Sequence, residues 1–147
     1  MILKFANYID WPASSFETPT SEIIIGVIGD DPFEGNLEKI TASFNTKGSI
    51  KGRKILIKRY KKVSEISICH ILYISNSEKE NLKELLQKLS GKKIVTIAEI
   101  SNFCKQKGII NFVKNNAKFD FEINEKVFKS EDISISSQLL SKATIIN

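Results

Sequence analysis

EIIIGVIGDDPFEG, residues 22–35, decides the class of fold. Ile23 to Ile28 form a dense β-branched run that stops at Gly29. A run with no polar alternation reads as a strand covered on both faces. Asp31-Pro32 follows as a helix-start signal, an acidic cap with proline at the first helical position. Phe33, Leu37 and Ile40 give that helix an apolar stripe. A buried strand that feeds a helix is the opening of a parallel, right-handed crossover.

The rest of the chain extends this pattern. KGRKILIKRY (51–60) alternates Ile55 and Ile57 with Lys54, Leu56 and Lys58, as a half-exposed strand does. ISICHILYIS (66–75) is another strand. Ser77 with Glu80 fits a capping box for a helix whose core face is Leu82, Leu85, Leu86 and Leu89, closed by Gly91. KKIVTIAE (92–99) is a further strand, and ISNFCKQKG (100–108) a short helical or loop piece. GIINFV and AKFDFEIN then flank Asn115-Asn116, a pair that tolerates positive φ and so predicts a two-residue hairpin turn. EKVFKSE and SQLLSKA are helical pieces. Before the opening strand, FANYIDWP carries Phe5, Tyr8, Ile9 and Trp11 at near-helical spacing until Pro12 ends the turn. SSFETPTS is a loop. The fold expected is a single α/β domain over residues 1–147, a sandwich with a mixed, mainly parallel sheet of about five or six strands, a C-terminal β-hairpin and flanking helices.

The bulk numbers agree with one folded domain. The chain has 147 residues, 41% hydrophobic and 27% charged, with no low-complexity tract. No apolar run approaches the about 18 residues of a membrane span. MILKFANYID lacks the basic and apolar regions of a signal peptide, which leaves a cytoplasmic chain and a mature exported one both open. Net charge is +5, and eight of the sixteen residues 47–62 are Lys or Arg with no acid among them. Such a block can attract phosphates. Lysines on an edge strand also discourage edge-to-edge pairing, and Tyr60 is the only aromatic interleaved with them. Nucleic-acid binding is therefore not expected.

Few residues could carry catalysis. His70, the only histidine, adjoins Cys69. Period-two counting puts His70, Leu72 and Ile74 on one face and Cys69, Ile71 and Tyr73 on the other, so thiol and imidazole point apart. A nucleophilic pair needs them within hydrogen-bond reach. One histidine and two cysteines are too few for a zinc site without carboxylates. His70 reads instead as a strand-end histidine bonded to backbone. Cys69 and Cys104 are an even pair that could bridge in an exported protein; two buried free thiols are the alternative. VIGDDPFEG lacks the ending of a P-loop, and Asp30 and Asp31 would repel phosphate. No GxSxG elbow exists. Trp11, Phe16 and Phe33 are expected to pack together near a sheet edge, as core or as an aromatic pocket. No catalytic residue, cofactor or metal is expected.

Taken in order, FANYIDWP, IIIGVIGDDPFEGNL, GRKILIKRY, CHILYISNSE, GIINFV, KFDFEIN and ISISSQLLSKA form a series that resembles the YfiR-like (YfiR/HmsC) family of bacterial proteins, over residues 5–146. Asn102-Phe103-Cys104 departs from the Gly-Phe more usual before the hairpin, and Lys107-Gly108 stands where paired glycines are common. The resemblance implies a non-enzymatic periplasmic regulator, exported by a signal peptide this chain does not show. It would bind and repress the periplasmic part of a membrane-bound diguanylate cyclase, lowering cyclic-di-GMP and biofilm formation. The domain also resembles the sensor region of some membrane histidine kinases, so a small-ligand sensor domain excised from a kinase is the alternative. A homodimer is compatible with the sequence, although no heptad seam marks one. If binding is the function, the candidate positions are Trp11 and Pro12, Asp30, Asp31 and Phe33, Glu78, and Glu122 with Asn124. Each has a structural alternative as cap, turn or core.

Overall fold

A computed structural model describes residues 2–115 and 118–147. In chain order the elements are α1 (Ile2–Ala6), β1 (Ile9–Asp10), β2 (Ile23–Ile28), α2 (Asn36–Lys47), β3 (Ile55–Tyr60), β4 (Ile71–Ile74), α3 (Leu82–Leu89), β5 (Val95–Ala98), β6 (Ile110–Asn115), β7 (Lys118–Asn124), α4 (Glu125–Ser130), β8 (Ser134–Ile135), α5 (Ser137–Leu140) and β9 (Thr144–Ile146). The described strands form a seven-stranded sheet in the order β3-β2-β4-β5-β6-β7-β9, with a two-stranded ribbon of β1 and β8. Pairs from β3 through β6 are parallel, β7 runs antiparallel to β6, and β9 is parallel to β7. The expected class is the observed one, a mainly parallel sheet with flanking helices and a late hairpin.

β2 is the inner strand that the sequence indicated. All six of its residues are buried. Ile23, Ile25 and Val27 join a core with α1, α2 and α4, while Ile28 joins a second core under α3. The row Tyr60, Ile28, Ile74, Ala98, Asn111 and Glu122 lies in register across the sheet on the α3 side. The preceding row, Val27, Tyr73, Ile97, Ile110 and Ile123, faces the other core. Gly26 sits where a Cβ would come within 2.6 Å of the Tyr60 ring and 3.1 Å of Cys69 Sγ.

Several sequence expectations need correction. Residues 32–35 form a turn, and α2 begins at Asn36 behind Gly35 in the left-handed region. Its buried face is Leu37 and Thr41 with Phe44 alongside, whereas Ile40 is 50% exposed. The cap before α3 is Ser75, whose hydroxyl accepts from Ser77 N–H and opens a 3₁₀ turn over Asn76–Asn81. Residues 5–12 are not one helical turn: α1 stops at Ala6, and Ile9 pairs with Ile135. β9, a third sheet neighbour after the hairpin, raises the sheet to seven strands. Asn115 is paired with Lys118 at the end of the hairpin strands, and the rest of the expected turn, Asn116, lies outside the described residues. Cys69 and Cys104 are free and buried. Cys69 Sγ lies against Ile71 O beneath β2 and β4, and Cys104 Sγ against Ile109 O at the start of β6. β5 separates β4 from β6, so the strands carrying the two sites stand about 10 Å apart at ordinary spacing and no bridge forms.

Burial pushes both thiols up to about 12, so the native protein is expected to resist thiol reagents near neutral pH. Unfolded without reductant, it should release two titratable thiols; none would mean that the two are bonded after all. A second prediction concerns Gly108. A Cβ there would stand 2.3–2.5 Å from the ring of Phe103, which is fully buried and cannot swing away. Gly108→Ala is expected to cost about 1–3 kcal/mol in a urea melt, the usual range for overpacking. An unchanged midpoint would mean that the ring has another place to go.

Candidate functional site

The chain passes from β2 to β3 on one side and then returns across β2 to β4 on the other. In parallel α/β sheets, the carboxyl ends of the strands at such a reversal are the usual ligand crevice. Gly29 leaves β2 there at φ +90. A Cβ on it would meet Ser77 Oγ at 2.6 Å, Glu78 Cγ at 2.9 Å and Ser75 Cβ at 2.9 Å. Ser77 Oγ also accepts the Asp30 amide at 3.0 Å. The turn after β4 therefore fills the crevice, and what this end presents is a surface.

Three of the candidate residues, Asp30, Asp31 and Phe33, follow one another in the turn at this end. Asp31 is bound inward. Its carboxylate accepts from Phe33 N–H at 2.8 Å and Gly35 N–H at 3.3 Å, and pairs with Arg59 at 2.6 Å. Burial pushes its pKa up, but these donors outweigh it and hold the carboxyl below its ordinary value. Arg59 also pairs with Glu38, which ties the turn to α2 and to the edge strand. Phe33, locked in this turn, lies half-buried with its ring edge-on to Tyr73 at 5.0 Å. Burial and then the charge of Glu99 raise the Tyr73 pKa. Asp30, next in the chain to Asp31, is exposed. Glu78 lies on the other face of the sheet, in a shallow pocket of about 220 Å³ with Lys61, Lys62 and Lys88.

Trp11 and Pro12 are at the opposite end of the strands. Trp11 stands edge-on to Phe16 at 6.3 Å and donates its indole N–H to His70 O at 3.2 Å. Phe16 stacks on the His70 ring at 4.4 Å, and the Arg53 guanidinium covers Phe16 at 3.5 Å from its ring centroid. Phe33 is not part of this cluster, because the length of β2 stands between them. Pro12 caps the Ala13–Ser15 turn. The remaining candidates are structural in their contacts. Asn124 caps α4 through Val127 N–H and donates to Cys104 O at 2.8 Å. Glu122, half-buried, accepts from Asn111 at 3.4 Å.

His70 is the backbone-bonded histidine that the sequence implied. It is 2% exposed. Nδ1 accepts from Ile24 N–H at 2.9 Å, so the ring proton sits on Nε2 and is donated to Ser15 O at 2.9 Å. Thiol and ring do point apart, but with the faces exchanged. A bend at residue 70 puts Cys69 with Leu72 and Tyr60, and His70 with the aromatics of the other side. Period-two counting failed because the strand geometry starts only at Ile71. The residues that sequence reasoning missed here are Tyr73, Arg59 and Arg53. The first hides in an apolar run, and both arginines hide in a basic block.

The fold and this end of the sheet define a doubly wound α/β domain whose strand-end crevice is filled by its own side chains, with Phe33 half-buried on the turn beside it. The model of the YfiR/HmsC-like family matches residues 1–144, and the chain belongs to that family. It is a regulatory, non-catalytic family of the periplasm, associated with membrane diguanylate cyclases. No helix among the described residues is long and apolar enough to cross a membrane. No curated protein sequence matches the chain. Among solved structures, the crystal structure of the ABC domain from Streptococcus pneumonia in complex with L-Trp is similar in fold, with a TM-score of 0.61 at 13% identity. The likeness covers 84% of this chain and 55% of that one, so this chain spans about half of that structure's length.

The neutral, doubly bonded His70 makes stability depend on pH. Burial, then the nearby Arg53 charge, lowers its pKa below the ordinary 6.5, against an opposing pull from the Ser15 carbonyl. The unfolded chain then takes up a proton that the folded chain refuses. Its stabilising share is fully present above pH 6.5 and is lost as pH falls through the lowered folded value. Denaturant melts are expected to show stability falling from pH 7 to pH 5, with a flatter profile in His70→Asn. An equal slope in the variant would assign the loss to other groups.

Proposed function

We propose that this chain is a non-enzymatic periplasmic regulator that binds and represses the periplasmic part of a membrane-bound diguanylate cyclase, lowering cyclic-di-GMP and biofilm formation. The observation that carries this reading is the family match over residues 1–144. The surface best suited to the contact is the strand end that carries Asp30 and Phe33, with Tyr73 behind Phe33 and Glu78 on the other face of the same end. A half-buried ring on a turn with aspartates gives a partner an apolar anchor and a charge to pair with, the usual make-up of an interface centre and rim. Asp31 supports this surface by holding the turn. Trp11 and Pro12 hold the strap beneath the other end, and Glu122 and Asn124 hold the hairpin. Repression would follow if the bound chain holds the cyclase in the less active of two arrangements.

The likeness to a domain that holds L-Trp favours the small-ligand part of a second reading, a sensor domain excised from a membrane histidine kinase. The two separate in one experiment. The tagged chain is incubated with membrane extract of its source cell and the captured proteins are identified. A diguanylate cyclase in the captured set supports the repressor; a kinase, or a thermal shift with L-Trp and an empty capture, supports the sensor. Phe33→Ala is then expected to weaken partner binding by about tenfold or more, the behaviour of an interface anchor. Its urea midpoint should move far less. Equal losses in binding and in stability would reduce Phe33 to a packing residue.

A further inference from the structure

A second concavity lies away from the strand ends. It is a groove of about 890 Å³ between α3, the 104–107 turn and α4. That volume is in the range of small-molecule sites, about 300–1,000 Å³. Its floor is apolar: Leu86, Leu89, Ile94, Ile109 and Val127. Thr96, buried, lies in the same floor. Its Oγ1 accepts the Ile109 amide at 3.0 Å and donates to none of the described residues.

The rim is cationic. Lys83, Lys105, Lys107 and Lys126 line it, all exposed. None of the four is in an ion pair among the described residues, whereas their helix neighbours Lys88 and Lys129 are paired with Glu84 and Glu125. The one side-chain carboxylate in the lining, Glu131, is turned inward and buried, and Asn147, the last residue described, also lines the groove. Glu131 accepts from Gly91 N–H and Lys93 N–H, each at 2.8 Å, and so does not neutralise the rim. Lys107 holds φ +79, a conformation that glycine adopts at lower cost, and the lysine there adds a charge to the mouth.

We propose that this groove binds an amphipathic carboxylate, a free small molecule whose apolar body lies on the Leu86–Val127 floor and whose anionic head is held by the rim lysines. A neutral apolar molecule would leave the rim unused, and a bare anion would leave the floor unused. The site shares no residue with the strand-end surface, so it stands or falls apart from the diguanylate cyclase reading.

Isothermal titration of the chain with decanoate, decanol and inorganic phosphate tests it. Decanoate is expected to bind saturably at one site, about tenfold or more tighter than decanol, with no heat from phosphate. In Lys105→Glu/Lys126→Glu the decanoate affinity should fall by about tenfold or more while decanol binding stays unchanged, since only the head loses its partners. Both lysines are exposed, and an unchanged melt verifies the fold; Lys105→Gln/Lys126→Gln should give an intermediate loss. Decanoate binding no tighter than decanol, phosphate binding as tightly as decanoate, or a charge-reversed variant that binds decanoate as well as the parent would each overturn the proposal.

Discussion

β2 has no wet side. Its six residues are buried, its backbone is hydrogen-bonded on both edges, and its two faces look into different cores. A buried peptide group without a partner costs free energy comparable to a lost hydrogen bond. β3 and β4 must therefore flank it, and helices must cover both faces. Gly26 at its middle lets the Tyr60 ring and the Cys69 thiol close over the backbone. The strand order, the placement of α2 and α3 on opposite faces and the chain reversal beside β2 all follow from that burial.

The two ends of the parallel strands are finished differently. The amino end is tied down by His70, which bonds two backbone groups and is covered by Phe16, Trp11 and Arg53. Arg53 also reaches the Thr18 and Ser21 carbonyls at 2.9 Å each, fastening the strap over residues 11–21. At the carboxyl end, side chains fill the crevice from within and leave Phe33 half out on a turn that Asp31 and Arg59 make stiff. A stiff turn loses little entropy when its side chain is captured, and that suits a recognition surface.

Buried polar groups join the parallel half to the hairpin half. Asn111 exchanges two hydrogen bonds with the Ile100 backbone, Asn124 reaches Cys104 O, and Glu131 caps the turn after α3. Each is satisfied, so each specifies geometry instead of costing stability. Together they fix the groove between α3 and α4, whose walls come from both halves of the chain.

The sequence by itself determined the class of fold, the inner strand, the Leu82–Leu89 helix face and the hairpin strands, because these rest on local periodicity and on β-branched content. It also determined that thiol and imidazole are apart, and that His70 is bonded to backbone. It did not determine the faces of Cys69 and His70, since one bend shifts the count. Nor did it show β9, whose three residues become a strand only because β7 offers them an open edge. Phe33 was legible as a candidate, but its neighbour was not: Tyr73 lies forty residues away and meets it through strand register. The lysine groove was illegible for the same reason. Lys83, Lys105, Lys107 and Lys126 are scattered along the sequence among many other lysines, and only the packing of α3, the 104–107 turn and α4 sets them around one apolar floor.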